Sequence, residues 1–300
     1  MSTLAARLRQ LRAQSGQQAT APAPKPALPP GVHRLIQQRS RMQAMAPRAA
    51  SHDRVIPGVE IATGLFLAES IMDWGRPDPL IDTTFARWEA PVAHGRLLHV
   101  DTETTGLAGG TGTRAWMIGA ADWLDDGRFR LRQLTLATMG AETAMLRTFA
   151  QWLQPDTVLV SYNGKCYDAP LLKTRYRLAR LPDPISGLDH LDLLHPVRRH
   201  WKGVWENCRL ATAERELLGV VREDDLPGSE APAAWLSYLR GGSAANLRRV
   251  LAHNAQDLKS LAGVLLYLAQ LPRPLQSQGD SIGNTSERNT TLSGSDAITP

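Results

Sequence analysis

Between residues 97 and 136 the chain changes rhythm twice. Leu97-Leu98-His99-Val100 is a short apolar run that stops at Asp101, as a buried strand does on reaching a turn. Residues 115–124 and 128–136 then alternate apolar and polar positions. That period predicts two antiparallel strands joined through the turn Asp125-Asp126-Gly127. Further on the period lengthens. Residues 142–153 are helical by spacing, the β-branched run 157–161 reads as a second buried strand, 168–180 as a helix and 188–193 as a strand. From 245 to 271 a long helix is predicted, with His253, Asp257, Leu261 and Val264 along one face. Three strands, then helix, strand, helix, strand and helix predict an α/β domain over 96–271. Its expected architecture is a mixed five-stranded sheet with helices on both faces.

The flanks read differently. Residues 51–95 hold Val55-Ile-Pro-Gly-Val-Glu-Ile61 and Gly64-Leu-Phe-Leu67, short strands expected to lean on the main domain with no assigned function. Residues 1–50 form an Ala/Pro/Gln-rich arm, with a stiff polyproline-like stretch over 21–30. Residues 272–300 are a polar Ser/Thr/Asn/Gly-rich tail. Both ends are expected to be disordered.

Charge sharpens this division. The chain of 300 residues carries a net +5, yet Arg7, Arg9, Arg12, Lys25, Arg34, Arg39, Arg41 and Arg48 precede the first acid, so the body is mildly acidic. A basic arm adds salt-dependent affinity for phosphate backbones, though an inert soluble tail or a targeting segment has the same composition. The longest apolar stretch, near 261–271, is about half the ~20 residues a bilayer helix needs, so no membrane partner is expected. Cys166 and Cys208 have no metal-ligand or disulfide-framework spacing, so a reducing cytoplasm is the expected location. Cys166 reads as small buried filler, with a redox-sensitive thiol as the other reading.

The chemistry gathers where strands end. Asp101 and Glu103 are two apart on a strand, so their carboxylates face the same side. Like charges that close repel unless a cation lies between them, and hard divalent ions want such oxygen ligands. Asp168 opens a helix after the turn Asn163-Gly164, where an acid also simply favours the helix dipole. Asp257 borders an apolar stripe, four residues after His253, where it is either solvated or paired. The glycine-rich turn 106–112 lacks the Gly-Lys-Ser/Thr of a phosphate loop and joins strand to strand.

An acid-x-acid strand end, an Asn-x-x-x-Tyr-Asp helix start and a late His-x-x-x-Asp together resemble the three motifs of the DEDD exonuclease superfamily of the ribonuclease H-like fold. Ser161–Leu172, Leu191-Asp-Leu-Leu-His-Pro196, Glu223-Asp-Asp-Leu-Pro-Gly228 and His253-Asn254 resemble the YprB-type ribonuclease H-like proteins. That similarity spans residues 97–268 and implies a metal-dependent nuclease. It further implies a 3′→5′ exonuclease on single-stranded DNA or RNA, or on a frayed 3′ end. Asp101, Glu103, Asp168 and Asp257 are the implied ligands of two Mg²⁺ or Mn²⁺ ions, with Asp101 bridging them. Asp168 would serve the ion at the leaving group, Glu103 and Asp257 the ion that activates water, and His253 would orient or deprotonate that water. One departure is visible. The histidine branch places its histidine five residues before the last aspartate, whereas His253 stands four before, the spacing of the tyrosine branch.

Further residues are candidates for holding nucleic acid. Thr105 and Leu107 follow the acidic pair, where they contact the terminal nucleotide or simply form a turn. Asn163 either reaches the scissile group or caps the Asp168 helix. Arg198, Arg199 and Trp201 interleave cations and aromatics as strand-binding surfaces do, although Trp201 and Trp205, four apart, also suit a helix face packed on the core. An RNA/DNA-hybrid endonuclease and a catalytically silent binding module are the alternatives. No protein partner is indicated.

Overall fold

The computed structural model describes residues 52–75, 77–106, 111–222 and 225–272. The lead-in gives β1 (Val59–Ala62) and β2 (Leu65–Met72), then a small ladder of β3 (Leu80–Ile81) with β4 (Val92–Ala93). The strands β5 (Leu97–Thr104), β6 (Ala115–Trp123), β7 (Phe129–Leu136), β8 (Val158–Ser161) and β9 (Asp189–Asp192) follow. Helix α1 (Glu142–Ala150) lies between β7 and β8, and α2 (Asp168–Leu178) between β8 and β9. After β9 come α3 (Leu194–Trp201), a short α4 (Leu210–Ala213) running into a π-helical turn Glu214–Leu218, α5 (Ala231–Leu239) and α6 (Ala245–Ala269).

Among the described residues the main sheet has seven strands, ordered β1-β2-β7-β6-β5-β8-β9, not the five expected. The two extra strands come from the lead-in, which does not merely lean on the domain. All eight residues of β2 pair antiparallel with β7, from Leu65 opposite Leu136 to Met72 opposite Phe129. The physical reason is the edge of β7, a row of peptide groups that must find partners. The lead-in is also tied at its start. Arg54 Nη1 donates to the carbonyls of Tyr238 and Gly242, both at 2.6 Å, and Asp53 pairs with Arg248 at 2.8 Å.

Strand β5 is central, antiparallel to β6 and parallel to β8. Its alternation sorts two cores. Leu98 and Val100 join Met145, Phe149, Leu172 and Tyr176 from α1 and α2, while Leu97 joins Val158, Leu261 and Leu265 on the α6 side. His99 is buried on that second side between the rings of Trp123 and Phe129, its Nδ1 on the Ala121 carbonyl at 3.0 Å. The buried stripe of α6 runs through Leu247, Val250, Leu251, Asn254, Leu258, Leu261 and Leu265, so His253 and Asp257 sit on its shoulder. No helix among the described residues is long and apolar enough to cross a membrane.

Candidate active site

Asp101 and Glu103 reach the carboxyl end of β5 opposite Gly119 and Met117 of β6, just before a register shift at Thr104. Gly119 has to be glycine: a Cβ there would lie 2.1 Å from Asn254 Oδ1. That space lets the fully buried Asn254 lie flat against the strand and donate to Asp101 Oδ2 at 2.7 Å. Gln133 on β7 donates to Asn254 Oδ1 at 2.8 Å and so sets which end of the amide faces Asp101. A buried amide left without these bonds would cost about 1–3 kcal/mol. Asn254 stands in the His253-Asn254 motif of the resemblance with no role assigned to it; a polar side chain inside an otherwise apolar helical stripe is the signal that marks it.

Asp168 arrives from the other side of β5. The turn leading to α2 is held by Asp192, whose carboxylate accepts from the backbone N–H groups of Asn163 at 2.7 Å, Lys165 at 3.1 Å and Leu194 at 3.1 Å. Asn163 contributes its tolerance of a left-handed backbone, φ 68°. A Cβ on Gly164 would come within 2.7 Å of Asp168 Oδ2. Thr102 Oγ1 donates to Asp168 Oδ1 across the strand end. Cys166 is exposed, not buried as expected, because Lys165, Cys166 and Tyr167 form the outer side of this turn.

The third acid comes from α6. Asp257 Oδ2 lies 3.4 Å from His253 Nε2, and its Oδ1 accepts from Arg222 Nη2. His253 Nδ1 is 2.8 Å from both oxygens of Asp225. A carboxylate at that distance needs a proton on Nδ1. The 3.1 Å approach of Arg222 Nη1 to Nδ1 is then two donors crowding one carboxylate. Arg222, Asp225 and Glu214 were not among the candidate site residues. Asp225 lay inside a quoted motif but bore no role, because its pairing partner is 28 residues away.

These acids feel one another. Burial, then Asp257, Asp168 and Glu103, push Asp101 well above the usual carboxylate range. Glu103 is raised to about 8 by burial and by the charges of Asp257, Asp168 and Asp225. Burial also lifts Asp168 to about 6 against the Thr102 hydrogen bond, and lifts Asp257 against the opposing charge of Arg222. Asp225 is the contrast: the bond from His253 and the charges of His253 and Arg222 outweigh burial and hold it below its ordinary value. Asp101, Glu103, His253 and Asp257 line an open cleft of about 480 Å³ together with Thr102, Thr104, Gly106, Gly228, Ser229 and Pro232. Among the described residues no three acid or imidazole side chains already close into a cation cage. The donor set nonetheless suits a hard divalent ion. Asp101 and Asp168 each spend one oxygen on a neutral donor and keep lone pairs in reserve, and Glu103 adds a further carboxylate.

The other candidates are not gathered here. Thr105 closes the β5–β6 ladder, its N–H donating to the Arg114 carbonyl at 2.9 Å and its Oγ1 accepting from the Arg114 N–H at 3.0 Å. Leu107 lies outside the described residues. Beyond it the chain returns at Thr111, whose carbonyl accepts from Arg175 at 3.0 Å. Arg198 and Arg199 are exposed on α3, and Arg199 donates to the Phe85 carbonyl. Trp201 stacks on Trp205 at 4.6 Å and packs near Tyr267, which is ten residues and therefore about 15 Å along α6 from Asp257.

A model of the family described as the RNase_H superfamily matches residues 98–269, more than half of the chain. The chain belongs to the RNase_H superfamily. Its sheet and helices form the ribonuclease H-like fold, with the carboxylates at the end of the central strand. This RNase_H superfamily chain is 38% identical over 176 residues to the uncharacterized protein YprB of Bacillus subtilis (strain 168), covering 58% of this chain and 42% of that one. It thus spans less than half the length of that relative. Among solved structures it is similar to the family B DNA polymerase of the archaeon Pyrobaculum calidifontis, with TM-score 0.44 and 18% identity over 56% of this chain and 24% of the polymerase. It is also similar to Exonuclease I of E. coli in complex with a dT13 oligonucleotide, with TM-score 0.36 and 15% identity over 52% of this chain and 43% of the other.

Proposed function

We propose that this chain is a metal-dependent nuclease that hydrolyses phosphodiester bonds, acting as a 3′→5′ exonuclease on single-stranded DNA or RNA. The observation that supports this reading is one cleft lined by Asp101, Glu103, His253 and Asp257, with Asp168 near enough for its charge to raise Asp101 and Glu103. A protein that only bound nucleic acid would gain nothing from four carboxylates turned toward phosphate. Asp101, Glu103, Asp168 and Asp257 are the residues that would hold Mg²⁺ or Mn²⁺, which would supply Lewis acidity at the phosphoryl oxygens and offset the acids' mutual repulsion.

The chain's own groups do the rest. Asp225 engages Nδ1 of His253 and so turns Nε2 toward Asp257 and the cleft, where the neutral ring can take a proton from the attacking water. This arrangement offers a general base despite the four-residue spacing to Asp257. Asn254, locked by Gln133, keeps one oxygen of Asp101 engaged and aims the other. The turn fixed by Asp192 delivers Asp168 to the far side of the same strand end.

The test is a degradation assay with 5′-labelled single strands, duplexes and hybrids of DNA and RNA in Mg²⁺ or Mn²⁺, with EDTA and Asp101→Asn as controls. A metal-dependent ladder of shortened products, lost in the variant, is the expected result. Internal cuts confined to the hybrid would replace the exonuclease reading by an endonuclease one. Tight binding without cleavage of any substrate would leave a binding module.

A further inference from the structure

Three of the four carboxylates differ in what already holds them. Asp101 is met by an amide and Asp168 by a hydroxyl, both neutral. Asp257 is met by a guanidinium. Arg222 is only 12% exposed, and its Nε and Nη2 grip both oxygens of Glu214 at 2.8 and 2.6 Å. Glu214 is itself 1% exposed and also accepts from Ser260 of α6. The same Nη2 reaches Asp257 Oδ1, and Nη1 lies 3.3 Å from Asp225. Arginine cannot shed its proton inside a protein, so this is a permanent cation on Asp257. It is also a fixed one. Glu214 is sealed between α6 and the turn that carries it, so the guanidinium cannot swing away without abandoning a buried carboxylate.

We infer that Arg222, a fixed cation on Asp257 Oδ1, withdraws that carboxylate from metal binding, so that this chain takes one divalent ion, on Asp101, Glu103 and Asp168. The inference rests on the nuclease reading and narrows it. An ion at Asp257 would have to share a carboxylate whose Oδ1 a guanidinium already holds, with only Oδ2, 3.4 Å from His253 Nε2, left to it. Cation next to cation at that carboxylate is unfavourable at any ionic strength that leaves the cleft intact, because buried charges are poorly screened. Arg222 thereby turns Asp257 from a ligand into the group that, with Asp225, frames His253.

Mn²⁺ titrations followed by the electron paramagnetic resonance signal of the free ion count the bound ions directly. They are run on the full chain with and without thymidine 5′-monophosphate, so that a second ion recruited by nucleotide is also counted. The parent is expected to bind one Mn²⁺ in both conditions. Asp257→Asn should keep that ion with an affinity within about twofold, whereas Asp101→Asn should lose it. The double variant Arg222→Gln with Glu214→Gln, which removes the buried partner charge together with the cation, should gain a second ion. Two ions on the parent, or loss of an ion in Asp257→Asn, overturns the inference while leaving the nuclease reading in place. No Mn²⁺ on the parent at all overturns both. If the double variant does not fold, as judged by circular dichroism, the Asp257→Asn titration decides alone.

Discussion

Two parts of this molecule carry the residue types of a functional surface, and they are built on opposite plans. Around the middle of α6, charged and polar side chains are half-buried and nearly every one is spoken for: Asp101 by Asn254, Asp168 by Thr102, Asp257 by Arg222, His253 by Asp225. Toward the carboxyl end of α6, Arg198 and His200 are exposed, with Arg199 tied only to the Phe85 carbonyl, beside the stacked pair Trp201 and Trp205. Chemistry that depends on fractions of an ångström needs groups whose orientation is fixed by neighbours. Holding a flexible polyanion needs only charge and flat faces. The difference separates a place for bond breaking from a place for grip.

The contrast can be broken in four ways. The largest effect is expected from Asp101→Asn, which should lower cleavage by about a thousandfold or more while the melting temperature holds or rises, since a crowded charge is removed. Comparable activity in the variant would remove the cleft from the chemistry. Next is Gly119→Ala, which touches no acid. Its methyl displaces the Asn254 amide, at a stability cost of about 1–3 kcal/mol for overpacking. Cleavage should fall by roughly a hundredfold through misplacement of Asp101, and urea melts alongside kcat measurements separate the two effects.

The third is Arg198→Glu with Arg199→Glu. It should raise KM for single strands about tenfold at low salt and leave kcat within about twofold, the mark of uniform binding. An unchanged affinity would reduce the patch to a solvated helix face.

The smallest effect concerns stability alone. Burial holds His99 and His190 down at about 4, against 6.5 for a free imidazole. The Nε2 of His99 has no partner among the described residues, so protonation there would place an unmatched N–H⁺ among aromatic rings. Their folded pKa values lie below the unfolded ones, so the unfolded chain binds more protons between pH 6.5 and 4. The contribution of these two rings is therefore complete above 6.5 and lost as pH falls through that window, by up to about 1.4 kcal/mol per pH unit for each group, while the raised carboxylates of the cleft, Asp101, Glu103, Asp168 and Asp257, contribute the opposite slope. Urea unfolding of the parent and of His190→Gln, compared at each pH, isolates the ring: the parent's advantage over the variant should shrink as pH falls from 6.5 toward 4. A difference that does not change with pH would mean that the His190 ring is hydrated.

What the sequence disclosed and what it withheld follow one rule. Periodicity reports a residue's relation to its own element, so β5 to β9, α1, α2 and α6 were legible from apolar spacing. Patterns such as Asp101-x-Glu103 were legible because two members of the site share one strand. Partners contributed by distant segments leave no periodic trace. Asp225 meets His253 across a loop, Arg222 meets Asp257 from 35 residues away, and Gln133 meets Asn254 across the sheet. The lead-in was misjudged for a related reason. The motif Leu65-Phe-Leu-Ala-Glu-Ser-Ile-Met72 alternates poorly, because what recruits it is the unpaired edge of β7, a property of the sheet.

That recruitment separates two boundaries usually taken as one. Kinship with the superfamily starts at residue 98, but the folding unit starts where Asp53 and Arg54 fasten to the α5–α6 corner and β2 covers β7. A chain begun at the kinship boundary would keep every carboxylate of the cleft and still present a bare eight-residue strand edge to its neighbours in solution. Such a fragment would assay as an aggregate, and its silence would be mistaken for a lack of chemistry.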